Sequence, residues 1–312
     1  MMKKEISLQE MLERSVNDLQ CMKKWGTAKV YKAVENSVTR YMKGRAIFLH
    51  GVTPEWLLNY EEYLCHQRKS WNTISTYMKI CRSAYNSAVD LGLVSPIHRL
   101  FHHVFTGIIS KRANAMDIGM LRKMMEPNDY FQKLSVSQMR TLKIFMLLFL
   151  LRGMPFVDFA FLRKNDIQNH ILTYRRKKTG REIQIKLTSE TINLIRDLST
   201  DTKKRSPYVF NILHHNEWSS EAYLEYTSAL RKFNKQLKDI SKIIGIDISL
   251  SSYKARHSWA TMAYYSGVNP GVISQSLGHA SLSTTEIYMN PFRNEQFDKA
   301  NEQVLNYVRK GK

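Results

Sequence analysis

The sequence has few cysteines and no long apolar run. Only three cysteines occur among its 312 residues, and they are far apart and form no CxxC pair: Cys21, Cys65 and Cys81. This spacing indicates neither a disulfide framework nor a zinc site, and free thiols are typical of a reducing cytoplasm. The longest apolar run, 144–151, is far shorter than the ~20 residues of a membrane helix, so we predict a buried helix there and no membrane partner. The N-terminal lysines are not followed by an apolar run, so we expect no signal peptide.

Acidic residues are scarce relative to basic ones. The chain has 27 Asp and Glu against 47 Lys and Arg, a formal net charge of +20, and 43% of its residues are hydrophobic. The hydrophobic share excludes global disorder. The positive charge favours a polyanionic partner, because basic side chains that neutralise phosphates release the counterions condensed on nucleic acid. A soluble protein that is merely basic is the alternative at this point.

Apolar residues recur at helical spacing through the first hundred residues, so we predict that this part is helical. Thr53 followed by Pro54 predicts the start of one helix, and 73–91 predicts another that Gly92 ends. The periodicity weakens between 94 and 116, which indicates a linker. We therefore predict three segments: a first domain over 1–107, a linker over 108–116 and a second domain over 117–312.

The period changes in the second half of the chain. Residues 171–178 and 182–187 have the composition of strands, and the short turn Thr179-Gly180 between them predicts a β-hairpin. Helices are predicted on both sides of this hairpin, so the fold class is mainly α with a small β-hairpin or sheet. Ser135 or Ser137 is expected to cap the helix before the hairpin.

Local signals predict the ends of later helices. Asn269 with Pro270 predicts the start of one helix, and Gly278 predicts its end. The spelling STTE over 283–286 matches a capping box for the next helix. The polar, amphipathic tail over about 293–312 predicts a terminal helix.

Five polar positions in this half are candidates for chemistry: Arg152, Lys178, Arg256, His279 and Tyr288. Taken singly, each has an ordinary explanation as a helix-end charge, a solvated lysine, a surface charge, a helix terminus or a half-buried aromatic. A metal site built from His257 and His279 has no tight ligand spacing to support it, so we predict no metal.

The order and spacing of these positions carry more information than each one alone. The segment 253–289, YKARHSWATMAYYSGVNPGVISQSLGHASLSTTEIYM, resembles the C-terminal signature of the tyrosine recombinase (phage integrase) family. Upstream, LRGMPFVDFAFL resembles the family's first-arginine motif and KKTG its catalytic-lysine hairpin. The resemblance spans about 140–292, and the helical first hundred residues are more loosely similar to the family's SAM-like core-binding domain.

The resemblance implies a DNA breaking-rejoining fold and strand-transfer chemistry. Tyr288 would be the nucleophile and form a covalent 3′-phosphotyrosine. Arg152 and Arg256 would hold the phosphoryl oxygens with charge-assisted hydrogen bonds, and His279 would add a donor. Arginines then supply the stabilisation that Mg²⁺ gives in many nucleases, so no metal, ATP or other cofactor is expected.

The leaving 5′-oxygen needs a proton, and the resemblance assigns its donation to Lys178. Lys177 is the adjacent rival, and only the spelling KTG chooses between the two. The phenol of Tyr288, with an ordinary pKa near ~10, needs help to lose its proton.

The sequence departs from the common family pattern at two positions. Tyr253 stands where the first histidine of the HxxR motif is usual, and a tyrosine is a poor base at neutral pH. Proton removal then falls to another group, or to His257 indirectly. Pro155 stands where many members have an acid; the nearest one, Asp158, is expected to brace an arginine. Both spellings resemble a Bacteroidetes-type branch of the family.

We predict DNA contacts on both domains, because clusters of cations, hydroxyls and amides bind phosphates and base edges. The predicted contacts are Arg68, Lys69, Ser70, Asn72, Thr73, Tyr77 and Arg82 in the first domain, and Arg175, Arg176 and Lys177 beside the catalytic residues. A solvated helix face is the alternative for the first cluster. The basic linker pair Lys111-Arg112 is expected to cross the DNA backbone.

The resemblance also implies partners. The family's C-terminal tail often docks on a neighbouring protomer, which would make a homotetramer on two double-stranded DNA sites; a helix packed on its own domain is the alternative. An accessory DNA-bending protein is a further candidate partner. The location implied is the bacterial cytoplasm, on the nucleoid.

The implied function is site-specific recombination. The chain begins close to the predicted core-binding domain, which favours inversion, resolution or insertion of a small mobile element. A non-enzymatic regulator on a decayed recombinase scaffold and a type IB topoisomerase are the alternatives. The retained Tyr288 and both arginines argue against decay, and the predicted first domain and tail favour recombination over relaxation of supercoils.

Overall fold

The computed structural model describes residues 5–109, 115–126, 129–200, 205–286 and 294–309. It is mostly helical with one small antiparallel sheet, which confirms the predicted fold class. The chain divides into two compact units, each with its own apolar core: Met1–Lys111 with Asn216–Tyr223, and Arg112–His215 with Leu224–Lys312.

Four α-helices form most of the first unit: α1 (Leu8–Cys21), α2 (Trp25–Tyr41), α3 (Pro54–His66) and α4 (Trp71–Asp90). Thr53 caps α3, since its hydroxyl accepts a hydrogen bond from the amide of Trp56 at 3.1 Å. Gly92 follows the end of α4 with a left-handed backbone, φ +67°. Both predicted helix ends are thus confirmed.

Nine α-helices are described in the rest of the chain: α5 (Ile118–Met125), α6 (Val136–Leu150), α7 (Phe156–Ala160), α8 (Ser189–Leu198), α9 (Ser220–Ile243), α10 (Ser252–Tyr265), α11 (Pro270–Leu277), α12 (Ser283–Glu286) and α13 (Asn294–Arg309). The apolar run 144–151 lies mostly in α6, where Phe145, Leu147 and Leu148 are buried in the core. Ser135 caps α6 in a capping box with Gln138. Within the described ranges, no helix has the length and apolar character needed to cross a membrane.

Three strands form the sheet in the order β1 (Ile167–Gln168), β2 (Ile171–Arg175) and β3 (Glu182–Lys186). The predicted hairpin is present, with Leu172 opposite Ile185. The predicted first strand, however, is too long, because residues 176–180 belong to the turn, in which the amide of Gly180 donates to the carbonyl of Arg176 at 2.8 Å. The two-residue strand β1 was not predicted.

The predictions for the helix ends near the candidate site are confirmed in part. Asn269 caps α11, and Gly278 ends it with a left-handed backbone, φ +65°. The predicted capping box at 283–286 is wrong, because α12 begins at Ser283 and the amide of Glu286, which the box would pair with the hydroxyl of Ser283, bonds to the carbonyl of Leu282 at 3.2 Å. The tail forms the helix α13, as predicted.

Candidate active site

A tight corner after α6 presents the first candidate arginine. Arg152 and Gly153 both have left-handed backbones, with φ of +56° and +67°. A Cβ atom on Gly153 would lie 2.6 Å from the Cα atom of Arg256 in α10, a distance that side-chain carbons do not reach. Glycine therefore permits the corner to contact α10, and half-buried Arg152 extends to β3, where its Nη1 donates to the carbonyl of Gln184 at 3.3 Å.

Arg256 is the most deeply buried of the candidate charges, with 2% of its surface exposed. Its Nη1 donates to the carbonyl of Gly153 at 3.1 Å, and its Nη2 donates to the carbonyl of Leu277, the last residue of α11, at 2.6 Å. A cation at this depth is tolerated only when polar acceptors replace water. Arg256 thus joins the corner after α6 to the end of α11.

His279 lies directly after the left-handed Gly278 and is also buried. Its Nδ1 lies 2.7 Å from the hydroxyl of the fully buried Thr285 in α12. Burial and, after it, the nearby charge of Arg256 lower the pKa of His279 to about 4. The imidazole is therefore neutral at pH 7, with one ring nitrogen protonated and the other able to accept a hydrogen bond.

Side chains of the β2–β3 hairpin donate hydrogen bonds to backbone carbonyls of the loop 277–280. Arg176 donates through Nη1 to the carbonyl of Leu277, and the hydroxyl of Thr179 donates to the carbonyl of Gly278 at 3.2 Å. Arg181 donates through Nη1 to the carbonyl of His279 and through Nη2 to that of Ala280, the latter at 3.3 Å. The turn that contains Lys178 is thereby attached to the loop that contains His279.

Asp158 in α7 contacts the turn of this hairpin through both of its carboxylate oxygens. It is buried, its Oδ2 lies 2.7 Å from Nε of Arg176, and its Oδ1 accepts a hydrogen bond from the amide of Lys177 at 2.8 Å. Burial raises the pKa of Asp158, while the bond from Lys177 and the charge of Arg176 oppose that rise. Asp158 does lie against an arginine, as expected, and that arginine is Arg176.

Arg176 was predicted to contact DNA, and its position contradicts that prediction. Only 7% of its surface is exposed, and its guanidinium is occupied by Asp158 and by the carbonyl of Leu277. Its neighbour Arg175 is exposed and lies 3.5 Å from Glu182. A strand turns alternate side chains to opposite faces, so the buried residues Leu172 and Tyr174 could have indicated that Arg176 also faces inward.

The two lysines of the turn differ in their surroundings. The ammonium of Lys177 lies 4.5 Å from the centre of the Phe161 ring, a cation–π distance. Lys178 is exposed, and its charge is among those that lower the pKa of His279. This arrangement favours Lys178 over Lys177 as the group that faces the site, and the assignment stays a prediction.

Tyr253 and His257 occupy the first turns of α10. Tyr253 is half exposed, and its ring meets that of His257 edge-on with 4.5 Å between centres. Burial, with the charges of Lys254 and Arg256, lowers the pKa of His257 to about 4. His257 is therefore a neutral group at pH 7.

Tyr288 and the linker pair Lys111-Arg112 lie outside the described residues. Across the part of the chain that the structure describes, no group of three or more His, Cys, Asp or Glu side chains is arranged to hold a metal ion.

The DNA contacts predicted in the first unit fall into two groups. Arg68, Lys69 and Ser70 are exposed just before and at the start of α4, and Thr73 and Tyr77 are partly exposed within it. Asn72, in contrast, bonds to both the amide and the carbonyl of Ile109 at 2.8 Å. Arg82 donates to the hydroxyl of Thr106 at 3.3 Å. The last two side chains therefore also hold the segment that follows α4.

Two family profiles match the chain. The profile described as "Phage integrase family" matches residues 120–295, which is more than half of the chain, and "Phage integrase SAM-like domain" matches 7–99. Together they cover both the first helices and the buried arginines described above.

Curated relatives match over a part of their length. The tyrosine recombinase XerA of Saccharolobus solfataricus is 31% identical over 134 residues, or 42% of this chain and 40% of that protein. The tyrosine recombinase XerA of Pyrococcus horikoshii is 26% identical over 148 residues, or 47% of this chain and 49% of that protein. The chain thus spans about half, or less, of the length of these relatives.

Solved structures share the fold. The Tn1549 transposon integrase in complex with transposon right end DNA has a TM-score of 0.69 at 12% identity, over 97% of this chain and all of that one. A lambda integrase tetramer bound to a Holliday junction has a TM-score of 0.68 at 15% identity, over 92% of this chain and 78% of that one. At such identities the likeness establishes the fold alone.

Proposed function

Because the chain belongs to the phage integrase family of tyrosine recombinases, we propose that it is a site-specific recombinase that cuts and rejoins DNA through a covalent tyrosine–phosphate bond. One observation carries the proposal. The Arg152 corner, Arg256 and the loop of His279 are joined by hydrogen bonds through the carbonyls of Gly153 and Leu277. Cationic and neutral donors held in this way are suited to a phosphate that gains charge in the transition state.

The proposed reaction is a balanced exchange of two phosphate esters. The phenolic oxygen of Tyr288 bonds to phosphorus, the bond from phosphorus to the 5′-oxygen breaks, and Lys178 gives that oxygen a proton. The phenol proton leaves to another group that acts as the base, or to His257 indirectly. Attack by a 5′-hydroxyl of another strand reverses these steps and releases Tyr288, so no ATP or metal is needed.

The described side chains have separate roles in this proposal. Arg152 and Arg256 stabilise the charge on the non-bridging oxygens. His279 adds a neutral donor: in the tautomer whose Nδ1 accepts from the hydroxyl of Thr285, 2.7 Å away, the ring proton resides on Nε2, and we assign this N–H to the phosphate. Asp158 acts indirectly by holding Arg176 and the hairpin turn.

The proposed partner is double-stranded DNA, in keeping with the net charge of +20. We further propose that four copies act on two sites through exchange of the C-terminal tail. Its helix α13 exposes four large apolar side chains: Val304, Leu305, Tyr307 and Val308. The related lambda integrase forms a tetramer on a Holliday junction.

The biological setting is proposed from the sequence alone. We propose inversion of a DNA segment, or integration and excision of a mobile element, in the bacterial cytoplasm on the nucleoid, and the motif spelling fits a Bacteroidetes-type branch of the family. An accessory DNA-bending protein is a further proposed partner. A decayed regulator and a type IB topoisomerase are disfavoured, the first by the retained catalytic set and the second by the SAM-like domain.

Covalent trapping tests the proposed function. Wild-type protein and the Tyr288→Phe variant are incubated with DNA flanking the gene, including nicked suicide duplexes, and resolved on a denaturing gel. We expect an adduct with the wild type only, at a position that maps the crossover site, and equal DNA binding by both proteins. An adduct formed by Tyr288→Phe would exclude Tyr288 as the nucleophile. Relaxation of supercoils without joining of two sites would favour the topoisomerase.

A further inference from the structure

Arg181 is an exposed hairpin residue to which the proposed reaction gives no role. It occupies the first position after the turn, directly before β3, and its backbone carbonyl accepts a hydrogen bond from the amide of Arg176 at 2.8 Å. This bond closes the base of the turn, so Lys178 lies on a short loop between Arg176 and Arg181. The side chain of Arg181 bonds to two consecutive carbonyls, those of His279 and Ala280.

We propose that Arg181 is a positioning residue: its guanidinium fixes the turn that carries Lys178 against the loop that carries His279. The proton donor Lys178 and the hydrogen-bond donor to the phosphate, His279, are thereby held together. This inference rests on the proposed function and extends it to a residue outside the motif spelling. It assigns Arg181 no contact with DNA or with the reacting atoms.

The geometry favours Arg181 over the other hairpin contacts for this role. A guanidinium presents several N–H donors in a planar fork, so it can bind two carbonyls at once, which fixes orientation as well as distance. The hydroxyl of Thr179 makes one bond, to the carbonyl of Gly278 at 3.2 Å, and supports the same attachment from the other side of the turn. Arg176 is buried with Asp158, so its removal would disturb the core as well as the turn.

The consequence for catalysis follows from the length of a lysine side chain. Lys178 is exposed and has four rotatable bonds, so the position of its ammonium depends on where the turn is held. Proton donation requires hydrogen-bond contact with the leaving oxygen, and a displacement of about 1 Å in a catalytic group can cost about 10²-fold in rate. Release of the turn should therefore slow one step, protonation of the leaving group.

A DNA substrate with sulfur at the 5′-bridging position isolates this step. A thiol is far more acidic than an alcohol, with a pKa of about 8.5 for cysteine, so a thiolate leaves without receiving a proton. The probe is a synthetic suicide duplex that carries the crossover site mapped by covalent trapping, with either oxygen or sulfur at the scissile bond. Adduct formation is timed with each protein in excess and at a concentration that saturates the DNA, so that changes in DNA affinity do not enter the rate.

We expect Arg181→Ala to form the adduct about 10²-fold more slowly than wild type on the oxygen substrate and within a few-fold of wild type on the sulfur substrate. Lys178→Ala should show the same pattern, because it removes the donor itself. Arg256→Ala should stay slow on both substrates, because it removes charge stabilisation. Arg181→Lys keeps the charge without the fork and should fall between wild type and Arg181→Ala on oxygen.

Arg196→Ala is the matched control, since it removes one exposed arginine from α8 and should match wild type on both substrates. A circular-dichroism melt checks that each variant is folded. The inference is overturned if Arg181→Ala is equally slow on both substrates, or as fast as wild type on oxygen. A wild type that forms no adduct on either substrate would instead overturn the proposed function, and the inference with it.

Discussion

At the scale of single residues, the absence of a side chain at Gly153 is as important as the charges around it. The space that a methyl group would occupy is filled by the backbone of Arg256, and the left-handed conformation adds a second cost for any other residue. The first arginine, Arg152, reaches its position only because the chain can turn so closely against α10. A glycine with no side chain thus decides where the two candidate catalytic arginines lie.

We predict that Gly153→Ala destabilises the protein by about 2 kcal/mol or more, since the φ penalty alone is about 1–2 kcal/mol and the contact with Arg256 adds to it. Gly267→Ala is the control. Gly267 also has a positive φ, +85°, but no atom lies within 4 Å of the position that a methyl group would take there. This variant should therefore lose stability by the φ penalty alone. Urea unfolding measures both. Equal losses would show that the approach of Arg256 does not limit the site.

At the scale of secondary-structure elements, the hairpin depends on a buried ion pair. Asp158 of α7 holds Arg176 at the end of β2, and both side chains are almost completely shielded from water. An ion pair in this setting contributes little over an apolar pair, but its disruption leaves one charge buried and uncompensated. The attachment of β2 to α7 therefore depends on the presence of both partners.

We predict that Asp158→Asn lowers the free energy of unfolding by about 3–5 kcal/mol, because Arg176 keeps its charge without its partner. Glu182→Gln breaks the pair with Arg175, in which the side chains are 77% and 59% exposed, and should change stability by less than about 1 kcal/mol. The difference between the two urea midpoints is the measurement. A loss as small as that of Glu182→Gln would mean that water reaches Arg176.

The hairpin also shows how far the sequence determines this site. The turn signal at Thr179-Gly180 and the strand composition correctly predicted β2 and β3, and helix signals correctly predicted Thr53, Asn269 and Gly278. Strand alternation distinguishes the charges next to β2: Arg176 shares the parity of the buried Leu172 and Tyr174 and faces inward, whereas Arg175 does not. A run of cations favours phosphate contacts for all its members, so the composition of 175–178 did not separate the buried Arg176 from the exposed Arg175.

Other features of the site have no local signal. The bonds from Arg176 and Arg256 to Leu277 join segments that are far apart in the sequence, and they end on backbone atoms, which leave no trace in residue identity. The capping box at 283–286 was wrong because the amide of Glu286 bonds to the carbonyl of Leu282, one residue before the predicted cap, so a motif match does not fix which residue precedes the helix.

At the scale of the whole molecule, the net charge of +20 is expected to govern the proposed association with DNA. Each phosphate that a lysine or arginine neutralises releases a counterion, so affinity falls as salt is raised. We predict a loss of about 10³–10⁵ in affinity between about 50 and 200 mM salt, the range for six to ten phosphate contacts. Fluorescence anisotropy with a labelled duplex measures the affinity at each salt concentration. An affinity that does not change with salt would contradict binding through phosphate contacts.

The carbonyl of Leu277 accepts hydrogen bonds from both Arg176 and Arg256. A carbonyl belongs to every amino acid, so no codon change at position 277 can remove this acceptor, and selection can act on it only through the two arginines or through the path of the chain. Position 277 is therefore free to vary among apolar residues of similar size while keeping its role. Lineages that diverge from this protein can lose these hydrogen bonds through a substitution of either arginine. A substitution at position 277 does not remove the carbonyl oxygen that accepts both.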